Sequence, residues 1–215
     1  MSEEGVIWLR AIFSCVMPLW GRYFFVNDRR DGEAYPYGRF AMWYVLQTTT
    51  GQEEKLVQMI QELVAPELYE DCFVAYYERV WRKQQQSVVH VERLFPGYVF
   101  VVTQNPEELF FQLKKVPAMS KLVAADRYEF LPIKKEEETF FYDIFDLEHV
   151  VRLSYVETDD QGQMKKIHGP VGKYANRVRK CCFKKRYLIM DIPMGGVEKT
   201  VALGIKLKED LRKDE

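Results

Sequence analysis

Nine lysines and arginines lie between Met164 and Met190 with no aspartate or glutamate among them. They are Lys165, Lys166, Lys173, Arg177, Arg179, Lys180, Lys184, Lys185 and Arg186. Positive charge at this density neutralises phosphates, giving binding that is indifferent to sequence and sensitive to salt. Tyr174, Phe183 and Tyr187 are interleaved with the charges and offer flat faces for unpaired bases. The chain as a whole has a formal net charge of −1, so this signal is local to one segment. The competing reading is a solvated strand face whose charges blunt edge-to-edge pairing.

A second constellation is aromatic. Leu94-Phe95-Pro96-Gly97-Tyr98-Val99-Phe100-Val101 places a Pro-Gly bend between two rings and continues into an apolar run. Proline fixes φ and glycine tolerates positive φ, so the bend is sharp and reproducible. Turns lie at surfaces, and Phe95 and Tyr98 are therefore expected to project outward. With Trp43, Tyr44 and Pro96 they are expected to line one pocket, because strand neighbours converge on a face. A plain core role is the alternative, strongest for Trp43. Thr49, Thr50, Gln52 and Lys55 stand at an expected helix start, where hydroxyl, amide and amine groups favour phosphate; a simple helix cap accounts for Thr50 equally well.

Catalytic chemistry finds little support. His90, His149 and His168 are scattered, and no phosphate-loop, G-x-S-x-G or H-E-x-x-H pattern occurs. Glu136, Glu137 and Glu138 are consecutive and fan around a helix instead of forming an acid/base pair. Cys15, Cys72, Cys181 and Cys182 have no metal-ligand spacing and read as reduced thiols. The expectation is a cytoplasmic, monomeric, non-enzymatic protein without metal or cofactor. Val6–Trp20 is apolar, but Arg10 and Pro18 interrupt it and it is shorter than the ~20 residues of a membrane helix. Ser2, Glu3 and Glu4 before it are not a basic signal region, and no membrane partner is expected.

The elements that must position these groups are legible from patterning. Trp43–Gln47 is aromatic and β-branched, hence a strand. Thr50 and Glu53 fit a capping box, and Leu56, Met59, Ile60, Leu63 and Val64 form a helical stripe ended by Pro66. Cys72–Trp81 and Ser87–Arg93 read as strands, and Tyr98–Thr103 as a buried one. Pro106–Lys115 and Lys134–Phe145 read as helices, with a short strand at Lys121–Ala124. Short strands are expected at Lys165–His168, Ala175–Phe183, Tyr187–Ile192 and Glu198–Leu203, separated by Gly-rich or basic turns.

These pieces resemble the NusG family of transcription elongation factors. The likeness runs from about Met42 to Leu207. It rests on Trp43-Tyr44-Val45, on Leu94–Val101, on Val116-Pro117 after the second helix, and on Gly169-Pro170 leading through a basic hairpin to Val201-Ala202-Leu203-Gly204. The hairpin Arg179–Arg186 is similar to that of the specialised LoaP branch. Asn176 stands where relatives carry a glycine; asparagine tolerates left-handed backbone, so the turn is expected to survive.

The resemblance implies an α+β fold: an N-terminal sandwich of mostly antiparallel sheet and helices, then a C-terminal KOW domain, a small SH3-like β-barrel. The expected boundaries are 1–41 as an appendage outside the fold, 42–146, a linker at 147–162, and 163–212. It also implies that Trp43, Tyr44, Phe95, Pro96, Gly97 and Tyr98 dock on the clamp helices of RNA polymerase, with nascent RNA or non-template DNA as further partners. A ribosomal protein at the apolar tip Ile192-Pro193-Met194 is a further possible partner. The expected activity is processive elongation or antitermination at particular operons. The alternative is a KOW-type RNA-binding protein of the translation apparatus.

Overall fold

The computed structural model describes Tyr37 and residues 41–83, 86–117 and 130–211, the side chains of 82–87 and 211 excepted. From Ala41 onward these belong to one compact unit, Phe40–Glu215. The expected appendage at 1–41 lies, but for Tyr37 and Ala41, outside the described residues, as does the strand expected at Lys121–Ala124.

The fold is α+β. A four-stranded sheet in the order β2-β5-β1-β6 organises the first half. Its strands are β1 (Met42–Gln47), β2 (Asp71–Phe73), β5 (Tyr98–Thr103) and β6 (Phe130–Pro132), all paired antiparallel. Alternation along the strands sorts their side chains onto two faces. Leu46, Val99, Val101 and Cys72 pack on one face with Leu56 and Ile60 of α1 (Glu53–Leu63) and Leu109 and Leu113 of α2 (Pro106–Leu113).

The other face carries an aromatic core under α3 (Lys135–Ile144). Trp43 stacks on Phe141 at 6.0 Å and meets Phe73 edge-on at 5.5 Å, while Phe100 stacks on Phe73 at 5.3 Å. Edge-on and offset rings add about 0.5–1.5 kcal/mol per pair beyond burial. Glu138 of α3 is buried here, and accepts the Trp43 backbone N–H at 3.1 Å and Lys135 Nζ at 2.7 Å.

The stretch expected as one strand from Cys72 to Trp81 changes sheet at Val74-Ala75. β2 pairs with β5, whereas β3 (Tyr76–Lys83) forms a hairpin with β4 (Gln86–Arg93). The parallel strand β7 (Val150–Val151) completes this second sheet, in the order β4-β3-β7.

The second half is a five-stranded sheet in the order β10-β11-β12-β8-β9. Its members are β8 (Ser154–Thr158), β9 (Met164–His168), β10 (Val178–Cys182), β11 (Tyr187–Met194) and β12 (Val197–Lys206). In β11, Leu188, Met190, Ile192 and Met194 alternate inward and are buried. Pro193 is tolerated because β10 pairs with β11 only as far as Met190, leaving that edge without a ladder.

Two sequence expectations differ here. Residues 172–177 form a 3-10 turn (Gly172–Arg177), so the strand expected from Ala175 begins only at Val178. Asn176 is not left-handed. Among described non-glycine residues positive φ falls at His149 and Arg186 instead. The segment expected as a linker, 147–162, contains β7, β8 and a turn held by Asp159, whose side chain accepts the backbone N–H groups of Gln161 and Gln163.

Candidate partner and nucleic-acid interface

The Pro-Gly bend is built as its sequence demands, but its rings do not both face out. Gly97 adopts φ +86°, and a Cβ there would sit 3.1 Å from the Thr48 carbonyl oxygen. Phe95 is only 4% exposed, wedged against Phe100 and Phe141 at 6.0 and 6.1 Å. Trp43 is 2% exposed, and its indole N–H donates to the Tyr142 hydroxyl at 3.2 Å. Both are core residues, which corrects the expectation of an outward aromatic platform. The bend itself is at the surface, but the chain enters it from beneath α3, carrying Phe95 inward.

The six residues expected around one depression are also divided between faces. In the antiparallel register, Trp43 stands opposite Val102 and Gln47 opposite Tyr98, so Trp43 and Tyr98 share the aromatic face. Tyr44 points the opposite way and stacks on Phe130 at 4.3 Å. Burial, and then the charge of Glu138, raise the Tyr44 phenol above its ordinary range. Pro96 is exposed, Gly97 buried and Tyr98 half-buried.

Tyr98 is engaged from the second half of the chain. Lys199 of β12 donates to its hydroxyl at 3.1 Å and lies 5.1 Å from the ring centroid. Nearby, Gly195 and Gly196 at the β11–β12 turn donate their backbone N–H groups to Glu137 of α3, at 3.2 and 2.8 Å. Asp143 of α3 accepts from the Tyr174 hydroxyl at 2.7 Å and pairs with Lys173 at 3.0 Å. The surface bearing Tyr98 and α3 is thus covered by the C-terminal sheet.

At the start of α1, Thr49, Thr50, Gln52 and Lys55 are exposed. The capping box expected of Thr50 is not formed: Gln52 occupies the cap position without a side-chain bond. Glu53 is fully buried and instead accepts the N–H of Gly51 at 2.7 Å and of Gly97 at 2.6 Å, fastening the helix to the Pro-Gly bend. The sequence spacing flagged this glutamate but gave it the wrong partners. Beside it, Arg93 donates twice to Glu54, at 2.9 and 2.6 Å, and holds that carboxyl down at about 2, with Tyr76 assisting. Carboxylates therefore already occupy the electropositive end of α1.

The nine basic residues separate into two sets. Lys173 pairs with Asp143, Arg177 with Glu198 at 3.1 Å, and Arg179 with Asp191. Arg186 is 2% exposed and bonds Asp210 at 2.5 and 3.0 Å, together with Glu209 and the Phe183 carbonyl. Its assignment to a nucleic-acid surface is corrected. It fastens α4 (Lys208–Leu211) to the turn before β11, where its own backbone is left-handed. Acids distant in sequence reach these four cations, which a local charge count cannot reveal. Lys165, Lys166, Lys180, Lys184 and Lys185 are exposed and make no ion pair among the described residues. Those residues also contain no group of three or more histidine, cysteine or acidic side chains placed to hold a metal, and no helix long and apolar enough to cross a membrane.

Residues 41–140 match the family model described as transcription termination factor nusG. This interval contains the four-stranded sheet, the Pro-Gly bend and most of α3. Among curated relatives, the transcription termination/antitermination protein NusG of Haemophilus influenzae is 28% identical over 102 residues. That alignment covers 44% of this chain and 54% of the relative, so the chain spans about half the length of the relative it matches. A solved structure, described as domain interaction in Thermotoga maritima NusG, is 17% identical, covering 76% of this chain and 93% of its own. Its TM-score of 0.40 is too low to establish a common fold.

Proposed function

We propose that this chain is a NusG-like factor that binds RNA polymerase and promotes processive elongation or antitermination. The carrying observation is the family match over residues 41–140, which coincides with the sheet, bend and helix that position Tyr98. In this reading Pro96 and Tyr98, supported from below by Phe95 and Trp43, receive the clamp helices of the polymerase. Tyr44 and Gly97 act by shaping the sheet and bend. A helix seated there would use the half-buried tyrosine as an aromatic anchor. Thr49, Thr50, Gln52 and Lys55 form a secondary, weaker candidate contact to non-template DNA, because Glu53 and Glu54 hold the helix end.

The second half is proposed as a KOW-type SH3-like barrel. Its order leaves β9 and β10 as edges, and the Cys181 and Met164 sulfurs, one on each, meet at 3.5 Å. That contact supports closure of the sheet on itself. Ile192 and Met194 are buried, which favours nascent nucleic acid over a ribosomal protein at that tip. Action at particular operons, in the manner of the LoaP branch, and a cytoplasmic setting complete the reading.

Lys199 must leave Tyr98 before a polymerase helix can use the ring. Co-purification of the full chain with core RNA polymerase tests the reading. Tyr98→Ala is expected to weaken capture by about 2 kcal/mol or more, and Lys199→Ala to strengthen it. Capture unaffected by Tyr98→Ala overturns the assignment of the surface. An in vitro assay of terminator readthrough then tests the activity itself.

A further inference from the structure

We infer that the phosphate-contacting surface of the second half is a lysine-only seam between β9 and β10, extended by the turn at Lys184 and Lys185. The inference rests on the nucleic-acid reading above and assigns it to five residues instead of nine. The sulfur contact between Met164 and Cys181 joins the two edge strands at 3.5 Å. Lys165 directly follows Met164, and Lys180 directly precedes Cys181, so each cation lies one residue along its strand from that contact. Lys166 stands opposite Glu157, whose carboxylate is already engaged by His168 at 2.8 Å. Lys180 stands opposite the half-buried Ile189, on the other side of the strand from Cys181 and its buried partner Leu188. The turn Phe183–Lys185 continues the edge with two more exposed lysines.

Every arginine in the segment is engaged elsewhere: Arg177 by Glu198, Arg179 by Asp191 and Arg186 by Asp210. This partition has a chemical consequence. Arginine reads guanine edges and phosphates with a planar bidentate fork, whereas lysine is a flexible point charge. A surface whose free cations are all lysines grips the sugar–phosphate backbone and discriminates poorly among bases. RNA and single-stranded DNA share that backbone, and the seam accepts either.

The test uses the full chain with a labelled single-stranded RNA and a DNA of the same sequence, each titrated across a salt series. The expected result is binding of both, with log K falling linearly in log[salt] at about 0.7 per phosphate contacted. Lys165→Ala/Lys166→Ala/Lys180→Ala is expected to reduce the slope by about 2, at about 0.7 for each lysine removed. Lys184→Ala/Lys185→Ala should reduce it by about 1.4 on the same basis. Lys173→Ala/Arg177→Ala should leave the slope unchanged. If the unmodified chain binds with no salt slope, the nucleic-acid reading itself falls. If it binds with a slope that the seam variants leave intact, or that Lys173→Ala/Arg177→Ala removes, that reading stands and the seam assignment is overturned. These lysines are exposed and make no ion pair among the described residues, so circular dichroism of the variants should match that of the parent.

Discussion

The two halves of the molecule handle their conspicuous residues in opposite ways. In the first, the aromatic side chains that look like a binding surface are turned inward. Trp43, Phe73, Phe95, Phe100 and Phe141 form one ring-on-ring core, leaving Pro96 of the bend exposed and Tyr98 half-buried beside Lys199. In the second, the core is aliphatic, built on Val156, Ile167, Leu188, Ile192 and Ile205, and the conspicuous residues are charges. Four of those nine charges are neutralised by acids from α3, β11, β12 and α4. A motif thus marks where a surface lies more reliably than it marks which side chains form it.

The sharpest way to break this contrast is to remove a ring assigned to the core. Phe95→Ala should cost about 3–5 kcal/mol of stability, the usual penalty for an emptied aromatic site. The loss should appear in thermal or denaturant unfolding before any partner is added. A near-parental midpoint would return Phe95 to the surface and undo the comparison.

On the other side, Asp210→Ala removes the principal partner of a buried arginine. Breaking such a pair costs about 3–5 kcal/mol, because an uncompensated charge is left inside. Glu209 remains in reach of Arg186, so the effect should lie toward the lower end of that range. Denaturant midpoints of this variant and of the double variant Arg186→Met/Asp210→Ala separate the pair from the charge, since the double variant removes both buried charges and should be better tolerated. Equal behaviour of the two would show that Arg186 is not held as a buried ion.

The smallest effect concerns acid. Glu54 titrates from 4.5 in its ordinary state down to about 2 when folded, because Arg93 and then Tyr76 bond its carboxylate. A depressed carboxyl stabilises the fold above its unfolded value and loses that contribution as pH falls toward the folded one. Stability should therefore decline between pH 4.5 and about 2, and Glu54→Gln should flatten that decline. The side chain is 41% exposed, so solvent screening keeps the effect modest. An unchanged acid limb in the glutamine variant would remove Glu54 from the account.

Much of the fold was legible. Aromatic and β-branched composition located β1, a nearly continuous apolar run located β5, and proline with two glutamates located the start of α2. What escaped depends on distant partners. The faces of Trp43 and Tyr44 follow from alternation, but only α3 decides which face holds the aromatic core. Glu53 was recognised by spacing, yet its acceptor role is toward Gly97, 44 residues away. The run of charge at 165–186 was plain, whereas its division into engaged and free cations required Asp143, Asp191, Glu198 and Asp210 to be brought beside it. A strand was expected from Ala175, but Gly172 lies so close to the Ile167 carbonyl, 2.9 Å from where a Cβ would be, that the chain turns tightly over 172–177 instead.

Gly204 has one more implication. β12 crosses β3 with so little clearance that a methyl group on this residue would meet the Glu78 carbonyl oxygen at 2.2 Å. The obstacle is backbone and cannot swing aside like a side chain. A single added carbon would act as a wedge between the halves while leaving Tyr98, Lys199 and the lysine seam chemically intact, giving experimenters a way to pry the molecule open without repainting either of its surfaces.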